Sequence, residues 1–163
     1  MNTSRSRKQV IKTCDSVRLL IAGGRNYKFN KSDKAWLDEV RERLLPLRIV
    51  EVVSGGAPGA DTEGAKWAES HDIPVKVFKA DWDRYGASAG PRRNQAMSEY
   101  LAKGQEGNKP VIGLVVLFPG GRGTDSMQLA AKSDGLVVCQ VACTQPRWAD
   151  ENVNLAINEL IDP

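Results

Sequence analysis

Residues 49–61 read IVEVVSGGAPGAD, a β-branched run that stops at a glycine-rich turn with an acid just beyond it. Ile49 to Ser54 predicts a buried strand, because branched aliphatics with little polar alternation suit a sheet covered on both faces. Gly55-Gly56 breaks the run, and the spacing predicts a helix from Gly59 to Ser70. Such a strand–turn–helix unit is half of a parallel crossover, so the fold depends on whether it recurs.

It recurs along the chain. Val17 to Ala22 (VRLLIA) predicts a first strand ending in Gly23-Gly24. Ser32-Asp33 offer a cap and an acidic first turn. Trp36, Val40 and Leu44 follow at helical spacing before Pro46 closes the helix. Ile73 to Phe78 predicts a third strand, and Lys79 to Gly90 a polar loop leading to a helix opened by Pro91. Val111 to Phe118 and Leu136 to Val141 predict two more strands around a helix from Thr124 to Ser133. Trp148 to Ile161 reads as a terminal helix, and Lys103 to Lys109 as a surface connection. Right-handed crossovers then give an α/β, Rossmann-like three-layer sandwich with a mostly parallel sheet of about five strands. The expected organisation is a basic arm over residues 1–15 and a single domain over 16–163.

Composition agrees with one globular domain: 163 residues, 41% apolar and 26% charged. The longest apolar run, Val111 to Phe118, falls far short of the roughly 20 residues a bilayer span needs. No apolar segment follows the N-terminal basic residues, so no secretory leader is expected. Three cysteines and one histidine support neither a disulfide framework nor an ordinary structural zinc site. Cys139 and Cys143 are spaced like half a zinc ribbon, but only Cys14 remains to complete it; reduced cytoplasmic thiols are expected. The net charge of +3 resides in residues 1–15, where Arg5, Arg7, Lys8 and Lys12 stand against Asp15. The rest of the chain is neutral, which disfavours a surface that grips long nucleic acid.

Ligands of such sheets bind beyond the carboxyl ends of the strands, where helix N-termini present free amides. Four turns there carry glycines and polar residues. The first supplies Gly24 and Arg25, and the second Ser54, Gly55, Gly56, Ala57, Gly59 and Asp61. The third supplies Trp82, Tyr85, Arg93 and Asn94, with Arg92 read as a solvated neighbour. The fourth supplies Pro119, Gly120, Gly121, Arg122, Gly123 and Thr124. Glycine amides can meet an anion, Thr124 can cap its helix or meet a phosphate, and the arginines are forked donors for phosphate. Asp61 can bond backbone amides or ribose hydroxyls, while Trp82 and Tyr85 offer faces for a base. Trp67 reads as core and His71 as a helix-end residue. Neither GxGxxG nor GxxxxGK[ST] occurs, which sets aside simple dinucleotide and P-loop chemistry.

Together these stretches resemble the YspA-like branch of the SLOG superfamily: GGRNY at 23–27, SGGAPGAD at 54–61, ADW at 80–82, AGPRRNQAM at 89–97 and FPGGRGT at 118–124. That superfamily includes the Lonely Guy phosphoribohydrolases and the Smf/DprA proteins. The resemblance implies a nucleotide or nucleotide-derived ligand, bound by a sensor or a sequestering protein for a signalling nucleotide. It also implies a homodimer or higher oligomer, for which the Trp36 helix and the terminal helix offer apolar faces. Bacterial and phage relatives imply a cytoplasmic setting. No metal and no cofactor beyond the ligand is expected.

Two alternatives stay open. Lonely Guy enzymes carry PGGxGTxxE with a catalytic Glu, and Met127 stands at that place here. An N-glycoside hydrolase would therefore need Asp61, Glu63 or Asp81 as its acid or base. Single-stranded nucleic-acid binding of the DprA kind is the other, with the arm at 5–12 as its main electrostatic support.

Overall fold

The computed structural model describes residues 14–141. Most of the arm at residues 1–15, Cys143 and the expected helix from Trp148 to Ile161 lie outside the described residues. Five strands form one parallel sheet: β1 (Ser16–Ala22), β2 (Arg48–Ser54), β3 (Val75–Val77), β6 (Ile112–Leu117) and β7 (Val137–Gln140). Their spatial order is β3-β2-β1-β6-β7, so the chain reverses direction across the sheet between β1 and β6. The helices are α1 (Lys31–Leu44), α2 (Ala60–Ser70), the single turn α3 (Trp82–Tyr85), α4 (Ala89–Ala102) and α5 (Arg122–Ser133). The expected Rossmann-like sandwich is the observed fold.

Strand alternation sorts the core onto the two faces. Val17, Leu19 and Ile21 pack with Trp36, Leu37, Val40 and Trp67 from α1 and α2. Leu20 and Ala22 pack with Met97, Leu101, Met127 and Ala131 from α4 and α5. Arg18 is the polar exception in β1. It is 4% exposed, pairs with Glu51 at 2.9 Å and stacks 4.3 Å from the Tyr100 ring centroid, so its charge is matched where it is buried. Among the described residues, no helix is long and apolar enough to cross a membrane.

Several local expectations are corrected. The cap of α1 is Asn30, not Ser32: Asn30 Oδ1 accepts from the Asp33 amide at 2.8 Å, and Asp33 Oδ2 accepts from the Asn30 amide at 2.9 Å. This reciprocal capping box leaves Ser32 inside the first turn. The segment 79–90 is not all loop, because Asp81 caps α3 and a 3₁₀ turn, Gly86–Ser88, follows. Pro91 is the third residue of α4 rather than its first. Its missing N–H costs nothing there, since first-turn amides have no partner within the helix. Thr124 likewise sits third in α5, whose cap position, Gly121, offers no side-chain cap bond. Residues 103–109 contain part of a small antiparallel hairpin, β4 (Gln105–Glu106) with β5 (Lys109–Pro110). The Trp36 face of α1 is not free for a partner: Trp36 is 1% exposed and meets Phe118 edge-on at 5.9 Å inside the core.

Candidate functional site

A cavity of about 420 Å³ opens where β1 and β6 end, at the reversal point of the sheet. Crevices at this place in open α/β sheets are where ligands bind, and the volume lies at the small end of the usual range for binding pockets.

Main-chain bonds build its frame. Gly24 donates to the Pro119 carbonyl at 2.9 Å, and its own carbonyl accepts from Ala60 and Tyr27, both at 3.1 Å. The turns after β1 and β6 and the start of α2 thus meet on one residue. A Cβ on Gly24 would lie 2.9 Å from the Pro119 oxygen, so the approach requires glycine. Tyr27, Phe29 and Phe118 stack beneath this junction, with ring centroids 4.5–6.2 Å apart.

Side chains then furnish the cavity. Arg93 projects from the first turns of α4 and donates through Nη1 to the Gly55 carbonyl at 2.6 Å and through Nε to Asn94 Oδ1 at 3.0 Å. Asn94, 4% exposed, uses Nδ2 to reach the Gly123 carbonyl at 3.1 Å, tying α4 to the first turn of α5. Asp61, 5% exposed near the start of α2, accepts from the Ala57 amide at 3.2 Å. Burial raises the Asp61 pKa above the ordinary carboxylate value, opposed by that bond and by the charges of Arg93 and Arg25. Burial likewise lowers the Arg93 pKa, opposed by Asp61 and reinforced by the nearby Arg25 charge. Trp82, 48% exposed, stands at the cavity beside Gly90, and the Arg25 guanidinium lies 5.6 Å from its ring centroid. Ala22, Met97 and Met127 supply an apolar lining. Arg25, Arg93, Arg122 and Asp61 are the charged residues among the lining side chains, an excess of positive charge. Around the open start of α5, that arrangement suits an anion.

The expected residues divide into two groups. Gly24, Arg25, Ala57, Asp61, Trp82, Arg93, Asn94, Gly121, Arg122, Gly123 and Thr124 come together around the cavity. Ser54, Gly55, Gly56, Gly59, Tyr85, Pro119 and Gly120 do not line it. The Gly56 amide is engaged by Ser54 Oγ at 3.2 Å, and Ser54 Oγ donates to the Asp61 carbonyl at 3.1 Å, so this turn supports Asp61 from behind. Gly55 presents its carbonyl to Arg93. Tyr85 lies between the Arg84 and Arg92 guanidiniums, at 5.0 and 4.3 Å, rather than over the cavity. Glu63 and Asp81 are also away from it, and Asp81 accepts the Arg84 amide at 3.1 Å as a helix cap.

Sequence reasoning missed Met97, Ser126, Met127 and Ala87 as lining residues. Helical spacing carried the signal for two of them: Met97 is four residues after Arg93 and Met127 three after Thr124, on the same helix faces. His71 ends α2 as expected and lies 3.0 Å from Asp38 of α1. Ser70 is 3.0 Å from His71, but its hydroxyl donates to the Trp67 carbonyl at 2.7 Å, as a helix-end contact does. Trp67 is core, 4% exposed. Among the described residues, no group of three or more His, Cys, Asp or Glu side chains could hold a metal ion.

The fold and the cavity together define a Rossmann-like domain with its crevice at the strand-order reversal. Residues 17–85 match the YspA, cpYpsA-related SLOG family. It is 36% identical over 87 residues to the Gene 61 protein of Mycobacterium phage D29, covering 49% of this chain and 66% of that protein. Among solved structures it is similar to DNA processing protein A (DprA) from Streptococcus pneumoniae. The TM-score is 0.54 at 15% identity, over 93% of this chain and 58% of the other. The chain therefore spans less than two-thirds of either relative's length, and the likeness to DprA is one of fold.

Proposed function

We propose that this domain binds a nucleotide or nucleotide-derived ligand in the cavity at the ends of β1 and β6, as a sensor or sequestering protein. The observation that carries the reading is the uncapped start of α5 facing a cavity with three arginines and one carboxylate. The α5 amides, Thr124 and Arg122 meet phosphate, Arg25 and Arg93 balance further negative charge, and Trp82 flanks a base. Asp61 faces ribose hydroxyls. The SLOG match over residues 17–85 supports the same ligand class. The reading takes residues 16–163 as one ligand-binding domain, working as a homodimer or higher oligomer in the cytoplasm of a bacterium or a phage-infected host. It needs no metal and no other cofactor.

Native mass spectrometry of protein purified from cells, followed by calorimetric titration of the ligand found, tests this. Gly121→Asp is the decisive variant. A Cβ at Gly121 meets nothing within 4 Å, and an aspartate at this position is a preferred helix cap. The fold should survive while the variant's own carboxylate occupies the phosphate position, and binding should be lost. Failure of every nucleotide tested, or unchanged binding by the variant, would overturn the reading. Release of free base from nucleoside monophosphates, stopped by Asp61→Asn, would replace it with the hydrolase. Single-strand affinity that falls steeply with salt and vanishes without residues 1–15 would replace it with nucleic-acid binding.

A further inference from the structure

The distribution of donors around the cavity bears on the kind of phosphate it takes. Two positive regions stand there, contributed by different elements. One is the first turn of α5, with Gly121, Gly123 and Arg122. The other is the Arg25–Arg93 pair, whose mutual repulsion is opposed by Asp61. Asn94 joins them: its amide oxygen accepts from Arg93 Nε at 3.0 Å, and its amide nitrogen donates to the Gly123 carbonyl at 3.1 Å. The Arg93 fork and the α5 turn are thus held side by side, one carboxamide apart. Two of the five Arg93 N–H groups are engaged by Gly55 and Asn94. A single phosphate on the α5 turn leaves the Arg25–Arg93 pair with only Asp61 to balance two charges.

We infer that the ligand carries two adjacent anionic groups, a nucleoside diphosphate or a pyrophosphate ester. One phosphate is seated on the α5 turn and the next faces Arg93 and Arg25. The inference rests on the nucleotide reading above and narrows it. Asn94 is the positioning residue that keeps the two subsites at the separation of linked phosphates.

The test is calorimetric titration with the mono- and diphosphates of adenosine, guanosine, cytidine and uridine, at one fixed salt concentration. For at least one base, the diphosphate should bind at least tenfold tighter than the monophosphate, the factor that ~1.4 kcal/mol provides. Arg25→Gln, at an exposed position, should reduce that ratio to threefold or less, because diphosphate affinity falls more than monophosphate affinity. Asn94→Ala should reduce the ratio too. Because Asn94 is buried, its variant is first checked for a native thermal transition, and Arg25→Gln decides the matter if Asn94→Ala does not fold. Equal affinity for mono- and diphosphates overturns the inference and leaves the nucleotide reading standing. Silence of all eight nucleotides overturns both.

Discussion

Replacing Gly55 by alanine isolates the contact that holds Arg93 in the cavity wall. A Cβ at this position would stand 2.7 Å from Arg93 Nη1 and 2.7 Å from Asp61 Oδ2, closer than real Cβ contacts come. The added methyl therefore acts on the guanidinium and the carboxylate. The bond at risk is Arg93 Nη1 to the Gly55 carbonyl, 2.6 Å long and charge-assisted. Bonds of this kind contribute about 1.5–3 kcal/mol. For a chain of this size, each kcal/mol corresponds to roughly 2–4 °C in midpoint, so the variant should melt roughly 3–12 °C lower than the parent. Freed from its carbonyl, Arg93 swings away from the Asn94 side chain, and diphosphate affinity should fall about tenfold. Gly123→Ala is the control: nothing lies within 4 Å of its Cβ, and alanine favours a helix over glycine by about 1 kcal/mol. Its midpoint should hold or rise. A Gly55→Ala protein with parental melting and parental affinity would refute the claim that this carbonyl fixes the arginine.

Asp61 gives the pH prediction. Its carboxyl is raised above its ordinary value, so the folded state holds the proton more tightly than the unfolded chain does. Its contribution to stability is therefore most favourable at low pH and is lost as pH rises through the folded-state value. Upward from about pH 4, the ordinary carboxylate value, the parent's midpoint should fall relative to that of Asp61→Asn. Thermal melts of both proteins at a series of pH values measure the difference, and parallel curves would remove burial of this charge as the cause. Trp82→Ala should leave the melting midpoint nearly unchanged, because the ring is 48% exposed. It should weaken nucleotide binding by roughly tenfold or more, the usual worth of a base stacked on an aromatic ring. Inorganic pyrophosphate, which has no base, should bind both proteins equally in the same calorimeter.

The layers of this fold were legible because hydrophobic periodicity is a local property. VRLLIA at 17–22 and IVEVVS at 49–54 read as strands and are strands. The ends of elements were less legible, since caps depend on which of several polar residues reaches back. Asn30 with Asp33 has the spacing of a capping box, yet Ser32 is the more familiar signal. In the site, residues projecting from helix starts, such as Arg93, Asn94 and Thr124, do line the cavity. The SGGAPGAD turn was harder to read, because glycines that admit a ligand and glycines that admit a neighbouring chain look alike in sequence. Gly55 and Gly56 serve Arg93 and Ser54, a distinction set by residues 38 positions away and by a hydroxyl two positions back.

The junction at Gly24 is stitched by peptide groups alone, through Pro119, Ala60 and Tyr27. The frame of the crevice is therefore indifferent to which rings and guanidiniums hang from it. Descendants of such a chain could exchange Trp82, Arg25 or Arg122 and so change guests while the architecture around them stays as it is.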